Sequence, residues 1–87
     1  MSLLIPYGRA DFESFERFRA SIDFNNLTRS RAQVLRRVAR RHERNLGELF
    51  EAGVVTEAQF LQAVEFEEEL SVFIEIGLRP DGLTQTV

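Results

Sequence analysis

The chain has 87 residues, of which 44% are hydrophobic and 29% are charged, a balance typical of one globular domain rather than of a disordered chain. The net charge of −3 disfavours general binding to polyanions, and the absence of cysteine excludes disulfides and thiolate metal sites. No apolar run approaches the roughly 20 residues of a membrane span, and the N-terminal segment is too weakly basic for a signal peptide, so we expect a single cytoplasmic domain that does not bind membranes.

The N-terminal part of the chain is expected to form an arm followed by a helix. Residues 1–10 contain Pro6 and Gly8, which interrupt regular structure, so they form either an arm on the core or a short edge strand. Asp11 is a suitable N-cap, and apolar side chains follow it at helical spacing. These side chains are Phe12, Phe15, Phe18 and Ile22. We predict a helix over residues 11–22 whose aromatic stripe belongs to the core.

A second and longer helix is predicted over residues 28–53, after a turn at residues 23–27 that contains two asparagines. The Thr28 hydroxyl can accept a hydrogen bond from a free backbone N–H, which makes it a good N-cap. Gly53 tolerates the left-handed conformation that ends many helices. Gly47 lies inside the helix and predicts either a kink or the close approach of another helix.

The third helix has the clearest start. Thr56 and Gln59 have the spacing of a capping box, and Val55 and Phe60 have that of a hydrophobic staple. The helix can continue over residues 57–76, and the short connection before it predicts an antiparallel hairpin. The predicted fold is therefore all-α, a three-helix domain built on a long helical hairpin, with a C-terminal tail at residues 79–87.

The end of the third helix leaves an alternative open. Residues 71–76 are rich in β-branched side chains and could pair with strands near residues 3–7 and 83–87 in an α+β domain. If the helix persists, Leu61, Val72 and Ile76 form a second apolar stripe on its acidic side. A small hairpin cannot bury both stripes within itself, so this one is a candidate dimer interface or a dock for the N-terminal arm.

Residues 48–64 resemble the SHOCT motif, a short helix–turn–helix at the ends of many bacterial proteins. The matching features are Leu49, Gly53, Val55, Thr56, Glu57 and Phe60. The lysines usual in that motif, and the acidic residue before its aromatic, are missing here. The resemblance implies oligomerisation or docking rather than catalysis.

The strongest functional signal is a basic face on the second helix. Seven of the chain's eleven arginines lie between residues 29 and 44, whereas residues 45–76 contain glutamate and no arginine. The predicted partner-binding residues are Arg29, Arg36, Arg37, Arg40, Arg41 and Arg44. Helical geometry predicts that Arg36, Arg40 and Arg44 point away from the third helix, which would leave them free of intramolecular ion pairs.

Catalytic and metal-binding patterns are absent from the sequence, so we expect no enzyme activity, no metal and no cofactor. The only histidine, His42, lies on the apolar side of the second helix and is expected to be a neutral, hydrogen-bonded core residue. The carboxylate cluster of Glu65, Glu67, Glu68 and Glu69 is expected to be solvated, because adjacent helical residues point in different directions.

The basic face therefore predicts a non-catalytic helical interaction protein, such as a small regulator or inhibitor. Its arginines would dock on an acidic protein surface, including the glutamate-rich helix of another copy of the chain. The alternative is a nucleic-acid-binding protein whose arginines contact phosphates. The acidic third helix opposes this alternative, because it would repel the same polyanion.

Overall fold

The computed structural model describes residues 7–76 and shows over this range three α-helices, one short 3-10 turn and no strand. The elements are α1 (Tyr7–Ala20), the 3-10 turn (Phe24–Asn26), α2 (Arg29–Glu51) and α3 (Glu57–Ile76). The predicted all-α three-helix fold is confirmed. The alternative strand at residues 71–76 is wrong, because this segment continues α3. The alternative strands near 3–7 and 83–87 lie outside the described residues, apart from Tyr7, which begins α1.

The first helix begins earlier than the sequence predicted. Residues 7–10, assigned to an arm, form the first turn of α1, and Asp11 lies inside the helix rather than at its cap. Gly8 falls in this first turn, where the backbone N–H groups have no intrahelical partner in any case, so its presence weakens the helix little. Residues 1–6 and the predicted tail at 79–87 lie outside the described part of the chain.

The ends of α2 are formed as predicted. The Thr28 side chain accepts a hydrogen bond from the Arg31 backbone N–H at 3.2 Å and so caps the N-terminus. Gly53 follows the helix with φ of 78°. Its N–H donates to the Phe50 carbonyl at 3.0 Å, and the next N–H, of Val54, donates to the Leu49 carbonyl at 2.8 Å. This is the Schellman pattern, which satisfies the last carbonyls of a helix and turns the chain.

The capping box at the start of α3 is confirmed. The Gln59 N–H donates to the Thr56 hydroxyl at 3.1 Å, and the Thr56 N–H donates to the Gln59 side-chain oxygen at 2.9 Å. With α2 ended by a Schellman turn and α3 capped four residues later, the two long helices fold back on each other. Val55, in the connection, is buried in the core.

The core lies where α1 packs across one face of the α2–α3 hairpin. Its largest fully buried side chains are Phe15, Leu46 and Leu70, one from each helix. Phe66 on α3 is the centre of an aromatic cluster, with Phe15 at 6.2 Å and Phe18 at 5.9 Å between ring centroids. The predicted core role of the α1 aromatic stripe is therefore confirmed.

The 3-10 turn adds a core residue that the sequence pattern did not predict. Phe24 lies 6.0 Å from Phe66 and 5.7 Å from Phe73 between ring centroids, in edge-to-face arrangements. Asp23 fixes this turn by accepting hydrogen bonds from the Asn25 backbone at 3.0 Å and the Asn26 side chain at 2.7 Å.

Small residues let the two hairpin helices approach closely. Ala32, Ala39 and Ala63 are fully buried between the packed elements. A Cβ atom placed on Gly47 would lie 3.1 Å from Cε1 of Phe60, which is tighter than ordinary van der Waals contact. Of the two roles predicted for Gly47, the structure therefore supports the close approach of α3.

Candidate partner-binding face

The α2–α3 hairpin has two faces of different character. The covered face packs against α1 and includes His42 of α2 and Phe66 of α3. Arg40 and Glu68 lie about 160° around their helices from His42 and Phe66, respectively, and so belong to the opposite face. We call this opposite side the open face. Its residues are Gln33, Arg36, Arg37, Arg40, Glu43, Arg44, Gly47, Phe60, Val64, Glu67, Glu68, Ser71 and Ile74.

A bridge of ion pairs crosses the open face. One oxygen of Glu67, Oε2, accepts hydrogen bonds from Nε of Arg36 at 3.0 Å and from Nε of Arg40 at 3.1 Å. The Ser71 hydroxyl donates to the same oxygen at 3.1 Å. The Glu67 side chain is only 13% exposed, so it is held in the seam between the two helices. A single carboxylate therefore orients two guanidinium groups.

This bridge corrects two predictions. Arg36 and Arg40 were expected to point away from α3, and Glu67 was expected to be solvated; both expectations are wrong. The apolar stripe of α2 packs against α1 along one edge and against α3 along the other. Helix α3 therefore lies closer to the arginines than it would if it faced the centre of the stripe. The small buried residues also bring the helices within reach of a long arginine side chain.

The other predicted binding residues are exposed. Arg36 is half-buried, whereas the Arg40 side chain is 55% exposed even though it is paired. Arg29, Arg37, Arg41 and Arg44 are exposed and form no ion pair with another residue of the range 7–76. The described part of α2 thus presents guanidinium groups to solvent along most of its length.

The carboxyl groups at the bridge have opposite pKa shifts. Burial alone would raise the pKa of Glu67, but the hydrogen bonds from Arg36, Ser71 and Arg40 hold it below its ordinary value. Burial raises the pKa of Glu43, and the neighbouring charge of Glu67 raises it further. The bridge therefore favours the charged form of Glu67, whereas burial is the main reason that the charged form of Glu43 is disfavoured.

His42 lies on the covered face, away from the bridge. Its ring lies 5.1 Å from the Phe18 ring in a stacked arrangement and 5.8 Å from the Phe15 ring, between centroids. Burial lowers the pKa of His42, the charge of Arg41 lowers it further, and Asp11 partly opposes them. The neutral imidazole expected from the sequence is thus the form that this environment favours.

The predicted oligomer interface is exposed but not continuous. Leu61 is 42% exposed and Ile76 is 46% exposed, while Val72 is half-buried. Glu65 and Glu68 are exposed on α3 between Leu61 and Val72. This stripe therefore alternates apolar and acidic side chains.

Residues 7–76 contain neither a metal-binding cluster nor a membrane-spanning helix. No group of three histidine or carboxylate side chains is arranged to hold a metal ion. No helix in the described range is long and apolar enough to cross a membrane.

The Glu67–Ser71 hydrogen bond was not predicted from the sequence, although the i, i+4 spacing of these residues is that of neighbours on one helix face.

No protein-family model, curated protein or solved structure matches the chain. The class that the fold defines is an all-α three-helix domain. The resemblance of residues 48–64 to the SHOCT motif stays a prediction.

Proposed function

We propose that this protein is a non-catalytic interaction protein, a small regulator or inhibitor, that docks its open face on an acidic surface of a protein partner. The observation that carries the proposal is the excess of arginine on α2 that is left without a carboxylate. Helix α2 contains seven arginines and three glutamates, and of these seven arginines only Arg36 and Arg40 form an ion pair with another residue of the described range.

The unpaired arginines are unfavourable to the chain by itself. Arg37 and Arg41, which form no ion pair among residues 7–76, are like charges at i, i+4. Arg44 has the same spacing from Arg40, although Arg40 is already paired with Glu67. Each such pair costs about 0.2–0.5 kcal/mol on an isolated helix. A partner carboxylate would remove this repulsion and accept paired N–H bonds from the planar guanidinium groups. The face is therefore more stable in a complex than alone.

The bridge prepares part of the face for binding. Glu67 accepts from the Nε atoms of Arg36 and Arg40, which leaves the two terminal nitrogens of each guanidinium for other acceptors. Because Glu67 fixes the direction of both groups, less side-chain entropy is lost when a partner binds.

A protein partner fits the surrounding charges better than nucleic acid does. Glu68 and Glu75 are exposed on α3, which contains six glutamates and no arginine. A uniform polyanion would be repelled by this helix, whereas a protein surface can place basic groups opposite its carboxylates. The net charge of −3 agrees with this preference.

Nucleic-acid binding is the second candidate, and one cavity favours it. Gln33, Arg36, Arg37 and Arg40 line a cavity of about 260 Å³ together with Ile74. Three guanidinium groups and an amide around one open cavity could bind a phosphate of a nucleic-acid backbone. Both kinds of partner would bind the same arginines. They differ in that Glu68 and Glu75 would repel nucleic acid but not a protein surface that carries basic groups.

Catalysis is not part of the proposal. The only histidine is packed on the covered face between aromatic rings, away from the arginines. The lack of cysteine agrees with a reducing compartment such as the cytoplasm, which we propose as the location.

The test is a fluorescence anisotropy titration of three labelled probes: a poly-glutamate peptide, duplex DNA and single-stranded RNA. The variants are Arg37→Glu and Arg44→Glu, whose side chains are exposed and unpaired in the described range. The matched control is Arg17→Glu, the same charge change at an exposed position of α1. We expect the peptide to bind more tightly than DNA or RNA, and each open-face variant to weaken that binding while the control does not.

Two results would contradict this account. Binding of DNA that exceeds peptide binding and falls steeply with salt would favour the nucleic-acid candidate. Equal losses in Arg17→Glu and Arg37→Glu would mean that the open face has no special role. Circular dichroism of each variant is the check that α2 is still folded.

A further inference from the structure

The open face leaves one side of a two-helix layer without a covering element among the described residues. Helix α1 covers the other side, where Phe15 is fully buried. Along the open side, one cavity of about 260 Å³ includes Arg40 and Ile74, and another of about 390 Å³ includes Arg40, Gly47 and Phe60. Arg40 lines both cavities, which lie next to each other along the seam between α2 and α3 and are together called the groove.

We propose that the open face packs on the open face of a second copy of this chain, around a two-fold axis parallel to the hairpin helices. The proposal rests on the proposed function, because it names the acidic protein surface that the same arginines contact. It describes an antiparallel four-helix arrangement at the interface, with one α1 on each outer side.

The symmetry operation decides which helices meet. The two-fold axis lies between the two stacked hairpins and runs parallel to their helices. Rotation by 180° about it places the second hairpin with its left and right helices interchanged relative to the first, and each helix keeps its direction. Helix α2 of one copy then lies on α3 of the other, and the two run antiparallel because α2 and α3 are antiparallel within the chain. The open-face arginines of α2 thus meet the open-face glutamates of α3 twice in a closed dimer.

The same operation also decides the register, since rotation about this axis does not change height along the helices. Within the chain, Arg36 and Arg40 are level with Glu67, and Gly47 is level with Phe60. Interpolation along the helices at 1.5 Å per residue places Arg37 level with the turn that contains Glu68. The two-fold axis therefore sets Arg37 of each copy opposite Glu68 of the other.

Apolar side chains contribute to the same contact. Phe60, Val64 and Ile74 are half-buried on α3 and line or border the groove, so a second copy would remove them further from water. Leu61, 42% exposed, and Val72 lie at the edge of this contact. Ile76 lies about 140° around α3 from Ser71 of the open face, so the proposed interface is narrower than the stripe predicted from the sequence.

The size of the face is sufficient for a specific dimer. A helix of 20 residues is about 30 Å long and about 10 Å wide, so two adjacent helices present roughly 600 Å² of projected surface. A standard interface buries about 800 Å² of accessible surface on each partner, and accessible surface exceeds projected surface because side chains protrude. The charged composition indicates an equilibrium that responds to salt.

The test is sedimentation velocity of the wild-type chain, Arg37→Glu, Glu68→Arg and the double variant that carries both. We expect a dimer in the wild type, an increase in the dimer dissociation constant of about tenfold or more in each single variant, and recovery in the double variant. Arg17→Glu on the outer side of α1 is the matched control and should leave the dissociation constant unchanged.

A cross-linking experiment tests the register independently. The chain has no cysteine, so Arg37→Cys and Glu68→Cys chains each carry one thiol. An equimolar mixture should form a disulfide between the two kinds of chain faster than either chain does alone, since only that pair brings the two Cα atoms within about 7 Å. Faster linking in the separate solutions would overturn the register.

The outcomes separate the dimer from the proposed function. A wild-type chain that is monomeric up to about 1 mM, or a dimer that Arg37→Glu leaves unchanged, would overturn the pairing of open faces. If poly-glutamate still binds and still requires Arg37, the proposed function stands while the dimer fails. If both the dimer and peptide binding are absent, both proposals fail.

Discussion

The two faces of the α2–α3 hairpin use aromatic and charged side chains for opposite purposes. On the covered face, rings from α1 and the 3-10 turn surround Phe66, and Phe15 is fully buried. On the open face, the Glu67 side chain is 13% exposed and accepts hydrogen bonds from two arginines and a serine. The covered face thus supplies the stability of the fold, and the open face contributes little stability but much of the surface charge.

The largest effect is expected on the covered face. Phe15→Ala removes a fully buried ring that contacts Phe12, His42 and Phe66. We expect a loss of about 3–5 kcal/mol in the free energy of unfolding, which is a large part of the stability of a small domain. Urea denaturation followed by circular dichroism measures it.

The control for that variant is Phe50→Ala. Phe50 is 36% exposed and stacks on Phe60 at 5.7 Å between ring centroids, so its removal should cost much less. Equal losses in the two variants would contradict the difference between the covered core and the exposed end of the hairpin.

The next effect tests the close approach of the hairpin helices. Gly47→Leu adds a side chain where even a Cβ atom would lie 3.1 Å from the Phe60 ring. We expect a loss of about 1–3 kcal/mol in stability, because α3 or the ring must move. Ala58→Leu, at an exposed position of α3, is the control and should be nearly neutral. A Gly47→Leu variant as stable as the wild type would mean that the seam is loosely packed.

The bridge predicts opposite effects for two isosteric substitutions. Glu67→Gln removes the negative charge that pairs with Arg36 and Arg40. Because the charge-assisted hydrogen bonds are lost, the fold should be destabilised by about 1 kcal/mol at neutral pH. Glu43→Gln removes a carboxylate that burial and Glu67 disfavour, and should stabilise it slightly. Thermal unfolding of both variants measures the sign of each effect, and effects of the same sign would contradict the described geometry of the bridge.

The pH dependence of the bridge follows from the same shifts. The pKa of Glu67 is below its ordinary value when folded, so its stabilising effect is present above that ordinary value and is lost as pH falls through the folded pKa. The pKa of Glu43 is raised when folded, so its unfavourable effect at neutral pH disappears as pH falls through that raised value. Unfolding midpoints in acid should therefore depend on pH less steeply in Glu67→Gln than in the wild type.

The smallest expected effect concerns His42 on the covered face. Because its pKa is lowered on folding, the unfolded chain binds a proton at higher pH than the folded chain does. Stability should therefore decrease as pH falls below the ordinary imidazole value of about 6.5, until the folded pKa is reached. His42→Leu should remove this component from urea midpoints measured across that range. An unchanged pH dependence would contradict the assigned environment.

The parts of the fold that local chemistry determines could be predicted from the sequence. The Thr28 cap, the Gly53 turn and the Thr56–Gln59 capping box depend on a few neighbouring residues, and each was found where its spacing placed it. The start of α1 was not predicted, because Gly8 is a helix-breaking signal inside a helix but not in its first turn, where it lies.

The direction of the arginines could not be predicted from one helix alone. Helical angles place Arg36 and Arg40 relative to the apolar stripe of α2, but the position of α3 depends on where α1 packs. The reach of an arginine across a seam narrowed by Gly47 is also a property of two helices together. The exposure of Arg37 and Arg44, in contrast, followed from the angle alone because they lie far from both neighbours.

The most direct test of the open face as the recognition surface is a titration of the protein with poly-glutamate, observed through the Nε–Hε resonances of its arginines by NMR. We predict that the resonances of Arg37 and Arg44 shift together and saturably, while those of Arg17 and Arg19 on α1 do not. Equal shifts in all of these arginines, or shifts confined to the α1 pair, would contradict the assignment of binding to the open face.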